Sequence, residues 1–171
     1  DNVRVEKDQV VGDVNKGWTI AKYLLTHERE MIGGFGLTDA GSDTLSQTAV
    51  KALGVEHGRM NNALLRADIL KWEIDAAAFA VTAERVTDEV KSGQGVGATS
   101  AMLKYYGTEL NKRRYELVMK INGSDAMIWD GANSHGGAAP RMWLRTKGNS
   151  IEGGTSEVQL NIIAKNILGL G

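Results

Sequence analysis

Glu28 is the residue whose type and position most directly suggest chemistry. It stands within a helical pattern that begins at Trp18, on the same face as a series of apolar residues. The apolar positions of this face are Ala21, Leu24, Leu25, Ile32 and Phe35. A carboxylate on the inward face of a helix must be paired, neutralised or used chemically. Glu28 is therefore a candidate general base, and a salt bridge to a basic residue of a neighbouring helix is the alternative.

A second candidate site is the glycine-rich segment Gly153-Gly154-Thr155-Ser156-Glu157. It precedes a helix predicted to begin near Ser156, where Ser156-x-x-Gln159 matches a capping box, and to end at Gly169. The free N–H groups and the positive dipole end of a helix N terminus favour an anion or a polarised carbonyl group. The alternative interpretation is an ordinary capped helix.

Two other patterns do not predict a site. Gly93-x-Gly95-x-x-Ala98 imitates a dinucleotide-binding fingerprint, but that motif follows a strand, whereas a helix is predicted over residues 61–92. The segment is therefore predicted to be a turn between helices. His27, His57 and His135 are far apart and lack metal-ligand spacing, so no metal site is predicted.

The composition is that of a single soluble domain. The 171 residues include 20 basic and 21 acidic side chains, and the net charge of −1 argues against nucleic acid or an anionic membrane as partner. There is no cysteine, no apolar run of membrane-spanning length, and the start at Asp1-Asn2-Val3-Arg4 is unlike a signal peptide. A single proline among 21 glycines favours long, uninterrupted helices.

Hydrophobic periodicity predicts four long helices. The clearest pattern is a heptad seam over residues 61–92, formed by Leu65, Ile69, Trp72, Ala76, Phe79, Ala83, Val86 and Val90. A further helix is predicted from about Ala98, with inward positions Leu103, Tyr106, Leu110, Leu117 and Ile121. Together with the helices that begin at Trp18 and near Ser156, they predict an all-α, antiparallel four-helix bundle.

The remaining segments are predicted to connect or precede these helices. Gly33, Gly34 and Gly36 indicate a helix break or the close approach of another backbone. Residues 130–150 are predicted to form a loop around Pro140, anchored by Met142, Trp143 and Leu144. The valines of residues 1–17 are typical of a short β segment whose pairing strands lie outside the chain.

Taken together, these segments resemble the C-terminal half of acyl-CoA dehydrogenases. The resemblance runs from Asp1-Asn2-Val3-Arg4-Val5 and Val11-Gly12-x3-Lys16-Gly17-Trp18 through Glu28-Arg29. It closes with Ile151-Glu152-Gly153-Gly154-Thr155-Ser156-Glu157-Val158-Gln159 and Asn161-Ile162-Ile163-Ala164. It implies that residues 1–17 are the end of the family's middle β-domain or a linker, and residues 18–171 its C-terminal helical bundle domain.

The resemblance also implies a reaction and a set of site residues. Such enzymes remove the α-proton of an acyl-CoA thioester with a carboxylate and pass the β-hydride to FAD. The position that holds the carboxylate in many members is Gly153 here, whereas the isovaleryl-CoA and long-chain branches place it before an Arg on the first bundle helix, as in Glu28-Arg29. Glu28 is thus the implied base and Glu152 the second candidate. Arg29 and Gly153 are implied to bind substrate, and Gly154, Thr155 and Glu157 to bind FAD.

Two cofactor motifs of the family are not matched. For Arg-x-x-Phe-Gly, which reaches the adenosine part of FAD across the dimer, the nearest counterparts are Leu53-Gly54 and the cation Lys51. Gln-x-x-Gly-Gly-x-Gly should fall at residues 120–124, where Gly123 alone agrees. An FAD-deficient assembly subunit of the same fold is therefore the alternative function, and a flavin monooxygenase, which would not need a base at Glu28, is a third.

The resemblance further implies partners and a location. We expect association with another copy or with a related subunit, as in bacterial two-subunit members, some of which act on steroid side chains. Electron-transfer flavoprotein is the expected electron acceptor, and the bacterial cytoplasm and fatty acid metabolism are the expected setting. The isolated chain is expected to fold but to lack dehydrogenase activity. Acyl-chain specificity stays open.

Overall fold

The fold is an antiparallel helical bundle, as predicted. The computed structural model describes residues 1–34, 43–132 and 134–171, and their side chains except those of residues 26 and 29–34. The helices of these ranges are α1 (Gly17–Gly34), α2 (Leu45–Leu53), α3 (Ala63–Lys91), α4 (Thr99–Asn122), α5 (Ala138–Asn149) and α6 (Ser156–Asn166). The predictions about Ile32, Gly33, Gly34, Phe35 and Gly36 lie outside the described side chains.

Helix α4 is the central element, because it contacts each of the five other helices. Its apolar face carries Leu110, Leu117 and Ile121, which are all buried. These three residues belong to one core cluster with residues of α2 and α3. The Trp72 indole N–H donates to the Leu110 backbone carbonyl at 2.8 Å, so the ring is fixed against α4 by a hydrogen bond as well as by packing.

The heptad seam of α3 faces the core for most of its length. The fully buried members are Leu65, Ile69, Trp72, Phe79 and Val86, with Ala76 and Ala83 partly buried against them. Val90 is exposed because it lies in the last turn, one residue before the helix ends at Lys91. Tyr106 of α4 stacks on Phe79 with the ring centroids 6.0 Å apart and remains partly exposed.

Two shorter helices complete the bundle and were absent from the sequence prediction. Helix α2 begins with a capping box in which the Thr44 hydroxyl accepts from the Gln47 N–H and the Gln47 side chain accepts from the Thr44 N–H. The prediction of a loop over residues 130–150 is wrong for Ala138–Asn149, which form helix α5. Pro140 is the third residue of α5, and a proline in the first turn removes no intrahelical hydrogen bond.

The segment before α1 contains a short 3₁₀ turn at Lys7–Gln9, and its five valines are exposed. In the described residues, no strand lies beside it to supply the hydrogen bonds of a sheet, so the expected β segment is not a strand here. The division at residue 17 stays a prediction. Among the helices described, none is long and apolar enough for a membrane crossing.

Candidate functional site

The glycine-rich segment joins α5 to α6 in a tight turn. Gly153 and Gly154 have φ values of +64° and +105°, which side chains with a Cβ rarely adopt. Thr155 then caps α6, and its hydroxyl accepts from the Val158 N–H at 3.4 Å. The capping box predicted on Ser156 is therefore wrong: the N-cap is Thr155, and Val158 three residues later has no side-chain acceptor to complete a box. The two positive φ values turn the chain so that the cap falls on Thr155.

Gln159 holds this turn from within the bundle. Its side chain is fully buried, and its amide Nε2 donates to the carbonyl oxygens of Gly153 at 2.9 Å and Gly154 at 3.4 Å. A Cβ added to Gly154 would lie 2.5 Å from this Nε2 atom. The predicted capping role of Gln159 is therefore replaced by one in which it fixes two consecutive carbonyl groups.

Lys104 holds the same turn from helix α4, and sequence analysis missed it. Its side chain is fully buried, and Nζ donates to the Gly154 carbonyl at 2.7 Å. Lys104 belongs to a second inward face of α4 whose other buried members are Ser100, Gly107, Thr108 and Asn111. These residues follow Ser100 at i+4, i+7, i+8 and i+11, which is the spacing of one helix face. Because most of them are polar, the periodicity of apolar residues does not indicate this face.

Glu157 presents a carboxylate in the first turn of α6. Hydrogen bonds from its own backbone N–H and from the Thr155 hydroxyl lower the pKa of Glu157, and the charge of Lys112 acts in the same direction. The side chain is exposed and ionised at neutral pH. It can therefore accept a hydrogen bond from a ligand hydroxyl group and would repel a phosphate.

Glu152, the second candidate base, is engaged in an ion pair. Its carboxylate lies 2.7 Å from Arg145 Nη1 and accepts a further hydrogen bond from the Asn149 amide at 3.3 Å. The hydrogen bond and charge of Arg145, with smaller contributions from Asn149 and the charge of Lys104, lower the pKa of Glu152. A carboxylate whose ionised form is stabilised in this way is a poor proton acceptor.

Glu28 lies on α1, half-buried, and α1 packs on the same central helix as the α5–α6 turn. Within the part of the chain that the structure describes, no ion pair includes Glu28, so the salt bridge considered as the alternative is not found there. The Arg29 side chain lies outside the described residues. The turn brings Gly153, Gly154, Thr155 and Glu157 together, and α4 connects that group to the helix of Glu28.

A separate cleft of about 630 Å³ opens at the other end of α4. It is lined by residues of α2, α4 and α5, and it includes Leu53 and Asn122, which belong to the two segments where the family's cofactor motifs are not matched. Among the described lining residues there is no lysine or arginine, and Asp125 adds a negative charge. Lys51, the nearest cation in sequence, is exposed and paired with Asp43.

The closeness of Gly154 to Gln159 generates a stability prediction. Gly154→Ala should lower the free energy of unfolding by about 1–3 kcal/mol, because the new Cβ meets a hydrogen-bonded amide and the φ of +105° strains any residue but glycine. Urea denaturation measures the change. Gly95→Ala is the matched control, since no atom lies within 4 Å of its added Cβ, and it should be neutral or gain up to about 1 kcal/mol. Equal losses in both variants would contradict the proposed packing.

The lowered pKa of Glu152 generates a pH prediction. A folded-state pKa below the ordinary value of 4.5 means that the Arg145 pair stabilises the fold above that pH and is lost as the pH falls through the folded value. Glu152→Gln should therefore lower the melting temperature at pH 7, and the difference from the unsubstituted chain should vanish as the pH is brought well below 4.5. Glu84→Gln, at an exposed position of α3, should show no such pH-dependent difference. A deficit for Glu152→Gln that is the same at every pH would refute the assignment.

Comparison with known proteins shows the family to which this chain belongs. A family model described as the C-terminal domain of acyl-CoA dehydrogenase matches residues 15–168. The chain is 29% identical over 172 residues to acyl-CoA dehydrogenase FadE34 of Mycobacterium tuberculosis, in an alignment that covers 99% of this chain and 22% of that protein.

Solved structures agree on the fold. One is a variant of the Tcur3481–Tcur3483 steroid ACAD, with a TM-score of 0.81 and 23% identity. The match covers 100% of this chain and 44% of the solved chain. Another is a chain of the ChsE4–ChsE5 complex from Mycobacterium tuberculosis, with a TM-score of 0.70 and 24% identity. That match covers 94% of this chain and 42% of the solved chain. The chain thus spans less than half the length of each of these proteins, and it belongs to the acyl-CoA dehydrogenase family as a match to that family's C-terminal domain.

Proposed function

We propose that this chain is the C-terminal domain of an FAD-dependent acyl-CoA dehydrogenase in which Glu28 is the catalytic base. The observation that carries the proposal is the state of Glu28: a half-buried carboxylate, followed in the sequence by Arg29, with no ion pair among the described residues. Removing a carboxylate from water without a cation beside it costs free energy, and carboxylates in that state are found preferentially at functional sites. Glu152, by contrast, is held by Arg145.

The chain's own residues would act on the acyl thioester as follows. The Glu28 carboxylate takes the α-proton, the β-hydrogen leaves with its electron pair, and a double bond forms between the two carbons. Arg29 organises the substrate end of the pocket. Gly153 leaves open the space that a carboxylate fills at this position in other branches of the family.

The α5–α6 turn fits one part of FAD. Gly154 and Thr155 offer a close approach without bulky side chains, and the ionised Glu157 can accept a hydrogen bond from a hydroxyl group of the cofactor. These three residues would hold the flavin end. The chemistry that FAD supplies when bound is acceptance of the hydride from the substrate β-carbon.

The proposal also covers the partners and the location of this chain. Both solved structures compared above carry the names of two proteins, which supports association of this chain with a second copy or a related subunit. Electron-transfer flavoprotein is the proposed electron acceptor, and the bacterial cytoplasm and fatty acid metabolism are the proposed setting. Because other domains of such an enzyme would complete the flavin and acyl sites, we expect the 171-residue chain alone to be inactive.

A second candidate is a subunit of the same fold that does not bind FAD. The observation in its favour is the cleft at Leu53 and Asn122, which lacks a lysine or arginine among its described lining residues and contains Asp125. A diphosphate carries negative charge and is usually bound by cationic side chains or free backbone N–H groups. This cleft therefore gives a diphosphate no lysine or arginine among its described lining residues, although the N terminus of α5 lines it with backbone N–H groups.

Substitution of the proposed base tests the first function. In the enzyme that contains this chain, Glu28→Gln should lower kcat by about 10²–10⁴-fold, because glutamine keeps the shape of glutamate and cannot take the proton. Steady-state turnover of an acyl-CoA, together with the melting temperature, measures the effect. Glu152→Gln is the matched control, expected to reduce stability and to leave kcat within a few-fold. If Glu152→Gln abolishes turnover and Glu28→Gln does not, the base is Glu152.

Flavin content separates the two functions. The enzyme proposed first should be purified with one FAD for each copy of this chain, measured from its flavin absorbance against protein concentration. The second candidate requires that this chain bring no flavin of its own, so that a complex with a related subunit holds one FAD for each pair of chains. A stoichiometric flavin complement on a homo-oligomer would eliminate the second candidate.

A further inference from the structure

One peptide group of the α5–α6 turn has its two ends in different environments. The Gly154 carbonyl oxygen and the Thr155 N–H belong to the same planar trans peptide and therefore point in opposite directions. The carbonyl points inward, where it accepts from Lys104 Nζ at 2.7 Å and from Gln159 Nε2 at 3.4 Å. The Thr155 N–H consequently points away from Lys104.

The outward end of this peptide has no acceptor in the described part of the chain. The neighbouring N–H groups are engaged: that of Gly154 donates to the Ile151 carbonyl at 3.2 Å and that of Ser156 to the Ser150 carbonyl at 3.1 Å. The N–H of Glu157 donates to its own carboxylate. Thr155, which is half-buried at the start of α6, is thus left with a donor directed out of the bundle.

The inward end is rigid because both of its donors are immobilised. Lys104 and Gln159 have no exposed surface, and one comes from α4 while the other comes from α6. The Gln159 amide also donates to the preceding carbonyl, that of Gly153, at 2.9 Å. Rotation of the Gly154–Thr155 peptide would leave the Lys104 ammonium without this acceptor in a site that water does not reach, so the orientation is strongly preferred.

We propose that Lys104 is a positioning residue, which holds the Gly154 carbonyl so that the Thr155 N–H is aimed at an oxygen or nitrogen acceptor of the bound flavin. The inference rests on the proposed function, since that function assigns Gly154 and Thr155 to the ligand side of the turn. Lys104 itself touches no ligand in this scheme. A lysine suits the role because its compact charge on a flexible stem reaches a single carbonyl, whereas the guanidinium fork of arginine prefers two acceptors.

The first test needs no substitution. In the protein that contains this chain, hydrogen–deuterium exchange resolved to single amides should show the Thr155 N–H exchanging faster than those of Gly154 and Ser156, and it should slow when FAD is bound. Protection of the Thr155 amide equal to that of Gly154 in the cofactor-free protein would overturn the proposal. This measurement tests the orientation of the Thr155 N–H even if substitutions of Lys104 prevent folding.

The second test removes the charge. Lys104→Met keeps the length of the side chain and should lower kcat by about 10²-fold, shift the flavin absorption band and slow exchange of the Thr155 amide, since the freed peptide can turn its N–H inward. Lys120→Met is the matched control: it removes an exposed cation from the far end of the same helix, one that pairs with Asp68 at 3.0 Å, and should change kcat less than about 3-fold. A folded Lys104→Met protein with unchanged kcat, flavin spectrum and Thr155 exchange would refute the positioning role.

Failure of this proposal and failure of the proposed function give different results. If Glu28→Gln abolishes turnover while Lys104→Met leaves kcat and the Thr155 amide unchanged, the function stands and the role of Lys104 is wrong. If Glu28→Gln leaves turnover intact, the proposed base is wrong, and the exchange rate of Thr155 in Lys104→Met still reports the orientation of the peptide.

Discussion

The ammonium group of Lys104, buried with no access to water, is the constraint on which the arrangement of this bundle depends. Removing such a charge from water costs several kcal/mol, and the cost is offset only where acceptors are held close by. The Gly154 carbonyl is one such acceptor, and it belongs to the turn before α6. Helix α6 must therefore dock on α4 in one register, because a shift of either helix would separate the charge from the carbonyl.

Helix α4 has two inward faces that perform different tasks. The apolar face, with Leu110 and Leu117, packs against α2 and α3 and supplies hydrophobic stabilisation. The polar face carries Lys104 and Asn111, and Asn111 donates to the Asn149 side chain of α5 at 3.1 Å. Hydrogen bonds have directions that apolar contacts lack, so the polar face determines where the α5–α6 turn lies and the apolar face determines how stable the bundle is.

This division explains how much could be predicted from the sequence. The seam of α3 was predicted because apolar periodicity is the signal of a buried helix face. Glu28 was noticed because it interrupts an apolar series on α1, although the inward prediction is wrong for Leu24 of that series, which is exposed. Lys104 was missed because a buried lysine is rare and its stripe of polar and small residues looks like a solvated surface. Helix α5 was missed because Pro140 and the two glycines before the helix, Gly136 and Gly137, resemble loop composition, although proline is acceptable in a first helical turn. The cap at Thr155, instead of Ser156, depends on two positive φ values that sequence spacing cannot reveal.

The geometry of α4 also separates the two halves of the candidate cofactor site. Lys104 and Asn122 are 18 residues apart on one continuous helix, a distance of about 27 Å along its axis. At the Lys104 end of α4, the α5–α6 turn contains the glycine-rich segment that resembles the family, together with the buried contacts that hold it. At the second end, the cleft beside Leu53 and Asn122 lacks both of the family's cofactor motifs and includes Asp125. Groups so far apart and without shared partners affect stability independently, so the adenosine end could change without disturbing Lys104 or the turn that it holds.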